Sequence, residues 1–273
     1  YAGASLKTRV LNRLRRIFLW PPLENWLVAR TQGKHVSSFT ARMIPHEYLY
    51  PKGTWRTARR NGFDLKLDLS DAVDHYLYFG LAEPGYDRLL ALLAPGSQVI
   101  DVGANIGMLS LPFSRAVQHG RVVSFEPDPL NRARLLEHLA MNKAGNVKVL
   151  PFGLGEEARS FELYKVVGTN SGMNRILSDE AAAKKFPHTT IDVRRLDDLW
   201  PELGLDRLDL VKVDVEGFEM AVLKGAVRTI GRFTPVLFIE LDDDNLRENG
   251  SSAPALVEWL RDQGYATTAA EGG

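Results

Sequence analysis

The sequence predicts an α/β fold, a mostly parallel and doubly wound sheet with an amino-terminal helical and β extension, on three observations. Val99 to Gly107 reads VIDVGANIG, an apolar strand that ends on an acid and turns through glycines into a helix. Val122 to Asp128, VVSFEPD, is a second apolar strand ending in acids. Its Glu126 falls 19 residues after Gly107, the distance at which such folds present a carboxylate to a ribose. Leu208 to Glu219, LDLVKVDVEGFE, repeats the pattern. Together these stretches place a ligand site at the carboxyl edge of a parallel sheet.

Residues 1–60 are expected to form a basic helical extension and residues 61–273 the main domain. The first sixty residues hold twelve lysines and arginines against Glu24 and Glu47, a net of +10, so a chain of zero formal charge carries −10 in the remainder. Within Ser5 to Trp20, the side chains Leu6, Val10, Leu11, Leu14, Ile17 and Phe18 recur at three- and four-residue steps, an amphipathic helix with arginines on its other face. Pro21 and Pro22 end it. Two readings follow: contact with an anionic membrane surface, nucleic acid or acidic partner, or packing of the apolar stripe on the domain or on a second copy in a homodimer.

NGFDLKLDL, Asn61 to Leu69, alternates after an Asn-Gly turn and is expected to be a half-buried strand. The core then alternates. Strands are predicted at Gln98 to Val102, Arg121 to Phe125, Asn146 to Leu150, Leu208 to Asp214 and Val236 to Glu240, and helices at Gly107 to Val117, Asp128 to Asn142 and Phe218 to Ile230. Asp128 followed by Pro129 is a helix start, an acid cap with proline at the first helical position. Short β-like runs at Ser160 to Val167 and Thr189 to Arg194 flank a polar segment and suggest an inserted hairpin or lid. A helix at Pro254 to Gln263 and a sixth strand starting at Gly264 to Thr268 complete the prediction.

Composition narrows the function. A length of 273 residues with 45% hydrophobic side chains supports a sizeable core. With no cysteine, disulfides, thiolate metal sites and a cysteine nucleophile are excluded. No apolar run approaches the ~20 residues of a spanning helix, and the start lacks a signal-peptide core, so a cytoplasmic setting is the expectation. The chain begins at Tyr1 rather than methionine, and trimmed termini are expected. In the glycine turn, Asn105 takes the middle position that a dinucleotide site reserves for glycine, which weakens a nicotinamide or flavin reading. Asp101, Glu126, Asp214 and Glu216 at strand ends make the pocket electronegative, suited to ribose hydroxyls, an ammonium or a sulfonium. S-adenosylmethionine carries all three.

VIDVGANIG, SFEPDP, RRLDDL at Arg194 to Leu199, KVDVEGFEMAVLKGA at Lys212 to Ala226 and PVLFIE at Pro235 to Glu240, in this order and spacing, resemble the FkbM family of S-adenosylmethionine-dependent methyltransferases, within the Rossmann-like class I methyltransferase fold. The match spans roughly Tyr76 to Glu240. By this resemblance Asp101, Gly103, Asn105 and Gly107 line the methionine and ribose side of the cofactor, with Glu126 and the adjoining Pro127 at the ribose hydroxyls. Gly153 lies near the adenine, where Phe152 could pack on the ring. Glu83 or Tyr76 touches the cofactor from upstream, and Asp214 or Glu216 could contact the methionine end or orient the substrate. The fold usually closes with a terminal antiparallel hairpin, which this sequence does not provide.

Methyl transfer to an alcohol needs an aligned nucleophile and a group to take its proton. Lys212, Asp214, Glu240 and His75 are the candidates, Lys212 having the alternative role of an ion pair with Asp214 or Glu240. Asn170, Ser171 and Asn174 in the predicted lid could bind a hydroxylated substrate. A divalent metal on Asp214, Glu240 and Asp242 is conceivable but not favoured, and no metal ligand is assigned. The expected activity is O-methylation of a hydroxyl on a sugar, polyketide or related metabolite. The competing readings are an RNA methyltransferase using the basic extension, disfavoured because it lacks the Asn/Asp-Pro-Pro-aromatic motif, and a non-catalytic Rossmann-like binding protein.

Overall fold

The computed structural model describes residues 6–82, 85–165, 174–176 and 186–269. They belong to two compact units, one running through residue 82 and the other from Gly85 onward.

In the first unit α1 (Leu6–Arg15) continues through a single 3-10 turn, Arg16–Leu19, and α2 (Pro21–Thr31) starts with its two prolines in the first turn. Strands β1 (Trp55–Arg60) and β2 (Phe63–Asp68) form an antiparallel hairpin joined by Asn61 and Gly62, whose φ values of 50° and 79° match the right-handed twist of the strands. The compositional boundary at residue 60 falls inside this turn, whereas the compact unit keeps the hairpin whole. Alternation in β2 buries Phe63, Leu65 and Leu67. Asp71 caps α3 (Ala72–Phe79), accepting from the amides of Val73 and Asp74. Glu24 of α2 is buried and compensated, taking hydrogen bonds from Arg56 Nε at 3.1 Å and Tyr78 Oη at 2.9 Å.

The second unit opens with α4 (Tyr86–Ala91) and then alternates β3 (Gln98–Val102), α5 (Ser110–Val117), β4 (Arg121–Phe125), α6 (Pro129–Met141) and β5 (Val147–Leu150). A second sheet follows, from β6 (Gly153–Leu154), β7 (Arg159–Lys165), β8 (Asn174–Ile176) and β9 (His188–Arg194), in the order β6-β9-β7-β8. The expected inserted hairpin is the antiparallel pair β7 and β9. The chain continues through α7 (Leu196–Leu203), β10 (Leu210–Val213), α8 (Glu219–Lys224), α9 (Val227–Phe233), β11 (Val236–Ile239), α10 (Asp243–Glu248) and α11 (Ala253–Asp262).

The main sheet is five parallel strands in the order β11-β10-β3-β4-β5. From β3 the chain winds outward through β4 and β5, then returns to lay β10 and β11 on the other side. The strand order therefore reverses between β3 and β10, the place where open α/β sheets leave a crevice at the carboxyl ends. Both faces are covered. Val99, Val122 and Leu210 pack with Leu109, Phe113 and Val117, while Ile100, Val102, Val123 and Val211 pack with Leu199, Leu203, Leu223 and Ile230.

Three expectations change. The helix after the glycine turn starts at Ser110 rather than Gly107, because residues 104–107 are spent on the turn itself. The helix expected from Phe218 to Ile230 is broken at Gly225 and Ala226, where a Cβ on Gly225 would strike the Gly155 carbonyl. Gly264 to Thr268 forms no strand. Tyr265 N instead bonds back to the Leu260 carbonyl and closes the end of α11.

Candidate active site

The parallel register decides which side chains meet. Lys212 of β10 lies opposite Asp101 of β3, and Asp101 opposite Ser124 of β4, so the three share one face of the sheet. Lys212 Nζ stands 3.4 Å from Asp101 Oδ1 and 3.3 Å from Asp214 Oδ2, and donates to the carbonyls of Val102 (3.2 Å) and Gly103 (2.7 Å). Ser110 Oγ, from the first turn of α5, donates to Asp101 Oδ2 at 2.6 Å and lies 2.9 Å from Ser124 Oγ. Asp101 is wholly buried in this network. There it holds Lys212 and the start of α5. Two flanking carboxylates push the Lys212 ammonium upward against the opposing effect of burial, and Lys212 in turn holds Asp214 below the usual carboxylate range. The alternative role of Lys212, an ion pair with Asp214, is present.

Above this layer the backbone turns. Gly103 has φ +75°, and a Cβ there would run into the Asp214 carbonyl. At Gly107, φ +99°, it would stand 2.8 Å from Leu135 Cδ1. Only glycine fits either position. The amides of Gly103 and Ala104 both bond to the Phe125 carbonyl at 3.1 Å, folding the turn over the end of β4. Asn105, at φ 49°, donates its amide to Glu126 Oε2 at 2.7 Å, while its own Oδ1 is buried without a hydrogen-bond partner. Glu126 also takes the Asp128 amide on Oε1 at 2.9 Å. Burial outweighs these bonds and raises its pKa to about 7. Arg132 pins the carbonyls of Glu126 and Pro127 at 3.0 and 2.9 Å, and Asp128 caps α6 as expected, accepting from Leu130 and Asn131.

A second cluster crowns β10 and β11. Oxygens of Asp214, Glu216 and Glu240 all lie within 4.8 Å of one another. Glu240 sits just past β11, its amide bonded to the Val213 carbonyl at 3.0 Å. Its pKa is raised to about 9 by desolvation, then by a hydrogen bond shared with Asp214 and by the charge of that carboxylate. Glu216, at φ 54°, accepts from Asn245 Nδ2 of α10 at 2.8 Å. Three carboxylates at this spacing could hold a divalent cation. Asp242, grouped with them in the sequence reading, is drawn off to cap α10 through the Asn245 amide at 3.0 Å.

Other expected residues take structural tasks or lie elsewhere. His75 is in the first unit, its Nε2 2.7 Å from the Pro45 carbonyl, and burial lowers its pKa to about 4. Tyr76 donates to the Ala82 carbonyl at 2.7 Å in the same unit. Gly153 pairs with Val193, with room for a Cβ only at 3.2 Å from its side chain. Phe152 is roofed by Arg194, whose guanidinium carbon lies 3.8 Å from the ring centroid. Glu83, Asn170 and Ser171, like the side chain of Asn174, lie outside the described residues.

Sequence reasoning missed the supporting residues. Ser110 and Asn245 carry no motif. Asp197, inside RRLDDL, accepts from Thr229 N and Oγ1 at 2.8 Å each and from Arg228 N at 3.0 Å, so this motif ties α7 to the amino end of α9. Glu219 likewise gathers the amides of Val215 and Gly217 at 3.1 Å and shapes the VDVEGFE loop.

The chain is 33% identical over 162 residues to the methyltransferase sdnD of Sordaria araneosa, covering 50% of this chain and 62% of that protein. It is 32% identical over 212 residues to the antimetabolite synthetase AmbE of Pseudomonas aeruginosa, covering 66% of this chain and 10% of AmbE. Against the 2-O-methyltransferase NoeI of Sinorhizobium fredii it is 26% identical over 186 residues, 63% of this chain and 75% of NoeI. The matched segments thus span less than two thirds of sdnD and about a tenth of AmbE. Residues 101–266, which contain the glycine turn, Glu126 and the acidic crown, match the methyltransferase FkbM domain, and the chain belongs to that family.

Proposed function

We propose that the carboxyl edge of the five-stranded sheet binds S-adenosylmethionine and serves the methylation of a hydroxyl oxygen on a small metabolite. The observation that carries this reading is the acidic crown beside a glycine turn at the point where strand order reverses. The residues suit the group. Asn105 Oδ1 is a buried acceptor in want of a donor, and the carboxylates oppose a positive charge.

S-adenosylmethionine supplies an electrophilic methyl group when bound. Glu126 would accept the ribose hydroxyls on lone pairs left over from its two amide bonds, Asn105 would take a donor of the same ligand, and Asp214 with Glu216 would hold the ammonium. Lys212 fixes the position of Asp214 from below. Glu240, whose pKa burial and the neighbouring Asp214 raise to about 9, would in its ionised form take the proton of the acceptor hydroxyl as the oxygen–methyl bond forms. The 2-O-methyltransferase among the relatives supports oxygen as the acceptor atom.

The test is calorimetry with S-adenosylmethionine, followed by incubation of the protein with labelled donor and a panel of hydroxylated metabolites, with and without chelator. Uptake of the donor and a labelled ether are expected. Glu126→Ala should weaken uptake by roughly 1.5–3 kcal/mol, the worth of a hydrogen bond to a charged group. Wild-type affinity in that variant removes the ribose assignment, and no uptake by the wild type removes the methyltransferase reading. Loss of turnover with chelator would assign the carboxylate cluster to a metal.

A further inference from the structure

Of the apolar stripe at the amino end, Leu11, Leu14 and Ile17 are exposed and Phe18 is buried. One side of this segment is pinned to its own unit: Asn12 Nδ2 donates to Tyr48 Oη at 2.8 Å, Arg15 Nε donates to the Arg42 carbonyl at 2.9 Å, and Phe18 is only 8% exposed. Other apolar side chains point away from these contacts. Leu14 is 61% exposed, Ile17 55% and Trp20 62%, and Arg13 and Arg16 beside them are exposed as well. Trp26 of α2 extends the patch, its ring 6.2 Å from that of Phe18 and carrying the Arg30 guanidinium 5.5 Å from its centroid.

Acid is scarce in the first sixty residues. Of the two glutamates among the first sixty residues, Glu24 is buried and neutralised by Arg56. Glu47 stands 4.0 Å from His46.

We propose that this face docks on an anionic lipid surface. A bilayer interface accepts all three parts of the patch at once: aliphatic side chains enter the acyl boundary, indoles settle at headgroup level, and arginines meet lipid phosphates and carboxylates. Nucleic acid would use the arginines and leave Leu14, Ile17 and Trp20 in water. A second copy would bring a further set of like charges against the first. Among the described residues no helix is long and apolar enough to cross a membrane, so the segment lies along the surface.

The experiment is sedimentation of the full chain with phosphatidylcholine vesicles, with or without on the order of 30% phosphatidylserine, at low and physiological salt. At least tenfold stronger binding to the anionic vesicles is expected, falling with salt, together with a blue shift of tryptophan emission. Ile17→Ser/Trp20→Ser and Arg13→Gln/Arg16→Gln should each reduce binding at least tenfold. Neither touches a buried side chain, so circular dichroism and melting should stay at wild type. Absence of vesicle binding, equal binding to neutral vesicles, or full binding by either variant overturns the proposal. So does a dimer, or RNA retention, that the Ile17→Ser/Trp20→Ser pair abolishes while vesicle binding persists.

Discussion

At the scale of single residues, Lys212 and Glu126 show how burial assigns roles that residue type leaves open. Lysine in the middle of an apolar strand signals either chemistry or an ion pair. Its four partners, two carboxylates and two carbonyls, make it a strut beneath the crown. Lys212→Met should therefore destabilise the fold by about 3–5 kcal/mol, since it leaves Asp101 buried without its counter-charge. Urea denaturation reads this, and unchanged stability with lost turnover would return Lys212 to the chemistry. Glu126 offers a pH signature. Its folded pKa of about 7 lies above the ordinary glutamate value of 4.5, so its contribution to stability is fully present below about 4.5 and is lost as pH rises through 7. That loss amounts to at most about 3 kcal/mol, and Glu126→Gln should flatten it. Over the same window donor affinity should rise, because an ionised carboxylate is the stronger acceptor for ribose hydroxyls. Denaturation and calorimetry at pH 5 and 8 should then move in opposite directions for the wild type. Parallel changes would separate Glu126 from the ligand.

At the scale of elements, legibility followed the strength of local physics. Continuous apolar runs at Val99, Val122 and Leu210 announce strands buried on both faces, and a capping acid before Pro129 starts α6 where the side-chain chemistry demands. What the sequence conceals is tertiary. Gly225 breaks a helix only because the Gly155 carbonyl passes over it, and Asp197 caps a helix thirty residues away in sequence, where no periodicity reaches. The same distinction bears on the glycine turn, which a motif can flag without showing what fills the missing side chain. Gly103→Ala meets both an unfavourable φ and the Asp214 carbonyl, so it should lower the melting temperature by roughly 5 °C or more. Gly145→Ala, at a site with nothing within 4 Å, is the control and should stay near wild type. Equal melting of the two variants would mean that the turn tolerates displacement of β10.

At the scale of the whole chain, the parallel, doubly wound class was legible because short apolar runs alternate with helical segments along the sequence. The division into units was not, since charge changes near residue 60 while the backbone pairing of β1 with β2 carries the first unit onward. Charge and packing are separate properties of a sequence, and a hairpin can bridge a change in composition that looks like a boundary. The charge division nonetheless has its own consequence. Formal charge is zero over 273 residues, yet +10 is gathered in the first sixty and −10 in the rest. Charges farther apart than a Debye length act independently on a surface, roughly 10 Å at 0.1 M salt, so net neutrality does not make such a chain electrostatically silent. At pH 7 and about 20 mM salt the protein should be retained by both a sulfonate and a quaternary-amine resin, where an evenly charged neutral protein passes through both. Arg13→Gln/Arg16→Gln should elute earlier from the sulfonate resin and later from the quaternary amine. If the wild type flows through the sulfonate column, the basic side chains are screened by acids of the second unit, and the electrostatic half of the lipid proposal fails with it.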